Sequence, residues 1–436
     1  MESKFSKLKI SSNNKKCSYC NKPITKKSWC KECDPFRMIE GWTSGNFGID
    51  KFIKDTIYDA RNYSGIVYKF LVWVPFNRFT NLKKIGEGGF AEVYTAIWID
   101  GRSEYHKNNG TWRKVNPEPG MKVALKILKG SNNMSDEYLN ELRIHWNISR
   151  EHGLSLYGIT KDPKTEEFVM ILEFACEGNL RSSLSKNFNN TLWKNKIKLL
   201  HDSLIDLQKL HKSGYYHKDF HSGNILRVTH DVSYISDFGL SGPANEQKLN
   251  DKVYGVMPFV APEVLNGKPY TSSADIYSLG VVMVEVSSGK PPFYNIKHDV
   301  HLALDICGGL RPEFGKGTPE FYKELAYKCM NADSNKRPTA DELCGIFKFW
   351  YSSINGNTKE VEVFGYKGKE IKEAFEEADK EIPNISISYE KNSDAVYTSR
   401  ALPKPVNKDY DSKLPDLEIP NSMQLRDIDN ENTVDN

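Results

Sequence analysis

No stretch of this chain is apolar for long enough to span a bilayer. The longest, near Leu279–Val286, is interrupted by Gly280 and Glu285 and falls far short of the roughly 20 residues a spanning helix needs. Met1–Ile10 is polar and lysine-rich with no apolar run behind it, so no secretory leader is expected. Residue 2 is Glu, which rules out N-myristoylation, and the C-terminus offers no prenylation cysteine. Cysteine is scarce, eight among 436 residues, and four of the eight are clustered. These absences lead to the expectation of a soluble chain inside the cell, in the cytoplasm. Its thiols are then reduced or metal-bound instead of paired as disulfides. Charge of one sign is also missing: the net value is +3, so no global field points to nucleic acid. No internal repeat with a fixed period is found.

What is present is unevenly distributed. From Thr358 to Asn436 there are 18 acidic and 11 basic residues, a net of −7, whereas residues 1–35 carry nine lysines against Glu2, Glu32 and Asp34. The chain thus has a basic head and an acidic tail. In the head, Cys17-Ser-Tyr-Cys20 and Cys30-Lys-Glu-Cys33 are separated by nine residues. Two such pairs can each bite one face of a tetrahedral ion, and zinc favours four thiolates at about 2.3 Å in closed structural sites. A piece this small builds no core without such a staple. Accidental clustering or redox-active thiols are the alternatives. Four thiolates would leave no open position for catalysis. The surrounding lysines either offset the thiolate charge or meet an acidic partner. Residues 36–78 read as a helical linker: Ile49, Phe52, Ile53, Ile57 and Ala60 recur at helical spacing, while Val67 and Phe70–Trp73 are apolar enough to dock on the region that follows.

The chemistry is concentrated between residues 79 and 353. Ile85-Gly86-Glu87-Gly88-Gly89-Phe90-Ala91-Glu92-Val93 is a glycine-rich run flanked by strand-like alternation, where a tight turn can bring amides over phosphate oxygens. It is followed by Val123-Ala124-Leu125-Lys126, by His217-Lys218-Asp219 with Asn224 five residues after the aspartate, and by Asp237-Phe238-Gly239. Each supplies a charge or ligand that phosphoryl transfer from ATP requires. In order and spacing, this set resembles the eukaryotic protein kinase superfamily.

The resemblance implies an α+β, bilobal fold with a strand-rich small lobe and a helix-rich large lobe, preceded by the small N-terminal zinc knuckle. ATP and Mg²⁺ are the implied cofactors and protein substrates the implied partners. Gly86, Gly88, Ala91, Val93, Ala124 and Lys126 would bind the nucleotide, with Glu173 and Ala175 offering backbone to the adenine edge, Leu172 as gatekeeper and Leu226 as floor. Lys126 would be fixed by Glu141, with Glu137 as the second choice. Asp219 would meet the incoming hydroxyl, and Asn224 and Asp237 would hold Mg²⁺. Asp275 is expected to hold the catalytic-loop backbone, and Arg337 to pair with Glu263 in Ala261-Pro262-Glu263. The remaining cysteines, Cys176, Cys307, Cys329 and Cys344, read as small core residues.

The chain departs from the pattern in four places. Ala91 replaces the third glycine of the loop. Lys126 comes 40 residues after Gly86 instead of roughly twenty, and the excess, Asp100–Pro119, reads as an extended loop. Lys218 stands where many members have an arginine that forks onto an activation-loop phosphate, and lysine lacks that geometry. Only Ser241 and Tyr254 offer hydroxyls between Gly239 and Ala261. His221 stands where serine/threonine members often carry lysine. Phe220-His221-Ser222-Gly223 looks most like the tyrosine-kinase-like group, whose members mostly modify serine and threonine. Dual specificity with tyrosine stays open. The expected activity is that of a signalling serine/threonine kinase, and the alternative is a pseudokinase scaffold. Helices are predicted at Leu192–His211, Ser273–Ser287, Thr318–Asn331, Thr339–Trp350 and Lys369–Lys380. The tail, 354–436, is expected to be disordered beyond Ile382, where prolines and charges dominate. It or the zinc motif is a candidate partner-binding segment.

Overall fold

The computed structural model describes residues 43–60, 69–87, 91–102, 104–108, 111–115, 119–133, 136–243, 253–358 and 361–403. The chain divides into two compact units, residues 1–176 with 236–239, and residues 177–235 with 240–436.

The first unit is built on strands. Its sheet contains β1 (Val72–Trp73), β2 (Phe79–Glu87), β3 (Ala91–Trp98), β6 (Met121–Leu128), β7 (Leu156–Lys161) and β8 (Phe168–Glu173), in the order β1-β7-β8-β6-β3-β2. Strand periodicity sorts the side chains of β6: Val123 and Leu125 enter a core with Phe79, Trp98, Val169 and Ile171, and the intervening Ala124 and Lys126 take the other face. β8 is buried from Phe168 to Leu172, which explains its unbroken apolar sequence. β1 pairs parallel with β7, and Gly158 is required there, because a Cβ on it would lie 2.2 Å from Val72 O. The stretch 100–119, expected as an extended loop, instead contains the antiparallel hairpin β4 (Glu104–Asn108) and β5 (Thr111–Val115). The Asn109-Gly110 dipeptide between the strands is the sequence signal for this hairpin.

Two helices complete the unit. α1 (Phe47–Ala60) begins where Asn46 Oδ1 accepts from Ile49 N and the Asp50 carboxylate accepts from Ser44 N, so orphan amides are satisfied by side chains. Its apolar stripe, Ile49, Phe52, Ile53, Ile57 and Ala60, is buried, and Leu71 N donates to Thr56 Oγ1 at 3.0 Å. α2 (Asp136–Glu151) buries Leu142, Ile144, Trp146 and Ile148, together with Glu141 and His145.

The second unit is helical. α3 (Leu180–Asn187) is capped by Asn179, whose Oδ1 accepts from Ser182 N. α4 (Trp193–Lys212) is followed by the hairpin of β9 (Ile225–Arg227) and β10 (Ser233–Ile235), then by the short α5 (Pro262–Leu265). α6 (Ser272–Ser288) is buried on every side from Ala274 onward, as an apolar central helix must be, and ends at Gly289 with φ 71°. α7 (Val300–Cys307), α8 (Glu320–Cys329) and α9 (Ala340–Ile354) follow, and α9 opens on a Thr339/Glu342 capping box. α10 (Gly368–Glu381) buries Ile371, Phe375 and Ala378, and the Phe375 ring lies 5.4 Å from Trp193 and 5.2 Å from Phe321. Asp379 Oδ1 accepts from Trp193 N at 2.7 Å, so the tail helix caps α4, whose own N-cap, Leu192, has no acceptor.

Two expectations are corrected. The tail stays packed past Ile382, through Leu402: Ala395 and Leu402 are buried and β12 (Arg400–Ala401) pairs with β11 (Tyr254–Gly255). A few well-spaced apolar residues outweigh a polar composition here. Cys329 and Cys344 are buried, but Cys176 is exposed and Cys307 only partly covered. Cys176 follows the end of β8, where the chain leaves the sheet. Among the described residues no helix is long and apolar enough to cross a membrane. Cys17, Cys20, Cys30 and Cys33 lie outside the described residues, as does Gly88.

Candidate functional site

In the first unit a row of Cα partners runs from Gly86 on β2 to Val93 on β3, Lys126 on β6 and Met170 on β8. Lys126 is buried, and its Nζ donates to Glu141 Oε1 at 2.6 Å and to Asp237 Oδ1 at 2.8 Å. Glu141 on α2 is thus its helical partner. Burial opposes the lysine's charge, but the Asp237 and Glu141 carboxylates outweigh it and hold the pKa above its usual value. Asp237 is at φ 64°, a left-handed conformation that costs energy in a non-glycine residue. A Cβ on Gly239 would come 3.4 Å from Glu141 Oε2 and 3.5 Å from Asp237 Oδ1, so a glycine there keeps the cluster uncrowded.

The other candidates in this unit occupy neighbouring strands. Ala124 pairs with Thr95 on one side and Leu172 on the other, and Ala91 and Leu172 are both buried. Glu173 Oε2 accepts from Ser155 N at 3.2 Å, which anchors the end of β8, and Ala175 is half-buried beyond it. Among the described residues, a Cβ on Gly86 would meet nothing nearer than Val93 Cβ at 3.9 Å.

In the second unit the loop 217–224 holds Asp219 and Asn224. Asn224 Nδ2 donates to Asp219 O at 3.0 Å, which orients the carboxamide. Asp219 is buried, and its Oδ1 has no hydrogen-bond partner among the described residues. His217 Nδ1 accepts from Asp219 N, and His221 Nδ1 accepts from Gly223 N at 3.0 Å. Leu226 on β9 is half-buried and bridges to Asn179.

The loop's backbone is held from below. Asp275, fully buried on α6, accepts from His217 N at 2.8 Å, Lys218 N at 3.1 Å, His211 Nε2 at 2.9 Å and Tyr270 Oη at 2.9 Å. Burial opposes its charge, yet His211 and the His217 amide keep its pKa below the usual carboxylate value. Arg337 forks onto Glu263 with two bonds of 2.7 Å and also donates to Ser273 O.

Two contributors escape the sequence motifs. His145 lies one turn after Glu141 on α2; its Nε2 contacts Leu154 O at 3.1 Å and its ring meets Phe238 edge-on at 5.3 Å. Burial, reinforced by the Lys126 charge, lowers its pKa to about 4. The i,i+4 spacing from Glu141 was the available signal. Glu285 on α6 accepts from Ser222 Oγ at 2.6 Å and pairs with Arg181 at 3.2 Å, bracing the far end of the loop. A glutamate inside an all-apolar helical run was its signal. Among the described residues no three His, Cys, Asp or Glu side chains gather as a metal cluster.

The sequence model of the family described as protein tyrosine and serine/threonine kinase matches residues 79–347. A Dictyostelium discoideum protein named "probable serine/threonine-protein kinase" is 30% identical over 267 residues, 60% of this chain and 15% of that protein. A second protein of that organism with the same description is 28% identical over 286 residues, 62% of this chain and 15% of its own length. The chain therefore spans about 15% of the length of these relatives.

Proposed function

The chain belongs to the protein tyrosine and serine/threonine kinase family, and from that premise we propose that it transfers the γ-phosphate of ATP to serine and threonine hydroxyls of protein substrates. The observation that carries this reading is the buried Asp219 Oδ1 without a partner. A carboxylate oxygen left unsatisfied costs about 1–3 kcal/mol or more, and a substrate hydroxyl donating to it removes that cost. Asp219 then orients the hydroxyl for in-line attack and receives its proton.

Lys126 would hold phosphate oxygens, its ammonium kept charged and aimed by Glu141. Gly86, with no Cβ and no described atom nearer than Val93 Cβ to where one would sit, suits close approach of phosphates to the backbone. Asp237 and Asn224 suit Mg²⁺, which takes oxygen ligands and is commonly held by one or two side chains plus substrate phosphates. The bond from Asn224 Nδ2 to Asp219 O sets the carboxamide oxygen as its acceptor end. Bound Mg²⁺ supplies charge neutralisation on the phosphates. Ala124, Val93, Ala91, Glu173, Ala175 and Leu226 would surround the base and ribose side, and Gly88 would complete the loop.

The test is incubation with Mg-ATP and dephosphorylated casein, followed by mapping of phosphorylated residues. Phosphoserine and phosphothreonine are expected, with a loss of about 10²–10⁴-fold in Asp219→Asn. A wild-type protein that forms neither ADP nor phosphoprotein overturns the reading in favour of a scaffold. The affinity with the tyrosine-kinase-like group, through Phe220-His221-Ser222-Gly223, belongs to the same proposal. So do the layout of a zinc motif at 1–35, a linker at 36–78, a catalytic region at 79–353 and a tail thereafter, and an intracellular, signalling role. Zinc content measured on the purified protein, with and without Cys17→Ser and Cys30→Ser, tests the four-cysteine motif.

A further inference from the structure

Residues 392–402 do not trail away from the second unit. Asn392 N donates to Tyr294 O at 2.9 Å, and Tyr397 Oη donates to Pro292 O at 2.9 Å. The Tyr397 carbonyl accepts from Arg181 at 3.1 Å, and the guanidinium lies 4.8 Å from the Tyr397 ring. His298 Nδ1 accepts from Val396 N at 3.1 Å, and Arg400 donates to His298 O at 2.7 Å. Ala395 is buried beneath this run.

The run ends as a strand. Arg400 stands opposite Gly255 and Ala401 opposite Tyr254, antiparallel, and Leu402 N continues the ladder to Val253 O at 2.8 Å. A Cβ on Gly255 would lie 3.6 Å from Asp219 Oδ1. The tail strand is therefore added to backbone that adjoins the Asp219 carboxylate. The residue that precedes Arg400 is Ser399, whose Oγ is buried with no partner among the described residues. The tail thus brings an extended, hydroxyl-bearing segment to the strand edge beside the carboxylate that an acceptor hydroxyl has to reach.

We propose that residues 392–402 are an autoinhibitory strap, a tethered mimic of the acceptor peptide that occupies the Val253–Gly255 edge. The proposal rests on the phosphoryl-transfer reading of Asp219. Two backbones cannot pair with one strand edge, because each takes the same 4.8 Å slot of roughly that width. A segment tethered in cis meets its site at an effective concentration of roughly millimolar, so a dilute acceptor in trans competes poorly.

The experiment compares the full-length wild type with the full-length variant Tyr397→Ala/Arg400→Ala/Leu402→Pro, which removes three of the anchors. Casein phosphorylation is measured at varied casein and varied ATP. A rise of about tenfold or more in kcat/KM for casein is expected, with the KM for ATP unchanged. A peptide of residues 394–403, added in trans, is expected to inhibit the variant competitively with casein. Hydrogen exchange across 253–259 is expected to be slow in the wild type and fast in the variant, and labelled 394–403 peptide is expected to bind the variant alone. Equal kcat/KM in two active proteins overturns the strap. If neither protein transfers phosphate, the transfer reading fails, and exchange and peptide binding decide the strap by themselves: equal exchange and no peptide binding sink it.

Discussion

His145 is a buried imidazole that must stay neutral for the first unit to hold its arrangement. It is 3% exposed, sits beside the Lys126 ammonium and packs on the Phe238 ring. Its pKa falls from 6.5 in an open chain to about 4 in the fold, burial being the main cause and Lys126 the second. The unfolded chain therefore takes up a proton first as pH drops, and stability falls between 6.5 and 4. The gap corresponds to about 3 kcal/mol in full, of which about 2 kcal/mol of stabilisation is gone by pH 5 and almost none at pH 7.5.

The clean perturbation is His145→Gln, which keeps a donor for Leu154 O and does not titrate. Opening free energies of α2 and β6 are read from urea-dependent hydrogen exchange, which isolates the first unit from the second. Wild type is expected to lose about 2 kcal/mol more than His145→Gln between pH 7.5 and pH 5. Carboxylates common to both proteins cancel in that difference. Equal losses, within about 0.5 kcal/mol, would refute the assignment of a neutral, buried imidazole. A cationic His145 would also repel the Lys126 ammonium.

Two further substitutions probe the second unit. Lys196 is buried with its Nζ unbonded among the described residues, 3.8 Å from the Phe188 ring, and burial lowers its pKa to about 7. Lys196→Met is expected to stabilise the protein by about 2–4 kcal/mol near pH 7 in thermal melts, the gain shrinking to nothing as pH approaches 10.5, where the unfolded lysine also turns neutral. Arg337→Lys keeps the charge but loses the fork onto Glu263, and a loss of about 2–4 kcal/mol is expected by chemical denaturation; an unchanged midpoint would mean that one point charge suffices.

The charged cluster was more legible than the architecture around it. Lys126, Glu141 and Asp237 were readable as a group from the motifs that carry them, and the three meet within hydrogen-bond distance. Asp275 and Arg337 were readable for the same reason, as buried charges with few permissible partners. The β4–β5 hairpin was missed because Gly, Asn and Lys composition was weighed over the local Asn-Gly turn signal. The tail past Ile382 was missed because composition describes what a segment cannot bury alone. Ala395 and Leu402 gain their burial from the second unit, which no window of tail sequence contains. His145 was missed because a lone histidine on a helix has no motif until its neighbour Glu141 is given a role.

Lys218 and the scarcity of hydroxyls between Gly239 and Ala261 both bear on how the segment before Ala261 is held. Lys218, at φ 65°, donates its Nζ to Pro243 O at 3.0 Å. Tyr216 and Gly242 exchange backbone hydrogen bonds of 3.1 and 3.2 Å, and Ser241 Oγ donates to His217 O. A lysine suits such a single carbonyl, whereas an arginine fork is matched to a phosphate or carboxylate. The start of the segment is thus tied to the loop 217–224 by groups that need no phosphate, and Tyr254–Gly255 at its other end is tied by β12. An ordering phosphate would add little where both ends are already fixed. On the strap proposal, control of this site acts through the tail strand paired with Tyr254–Gly255 and not through a modified loop residue.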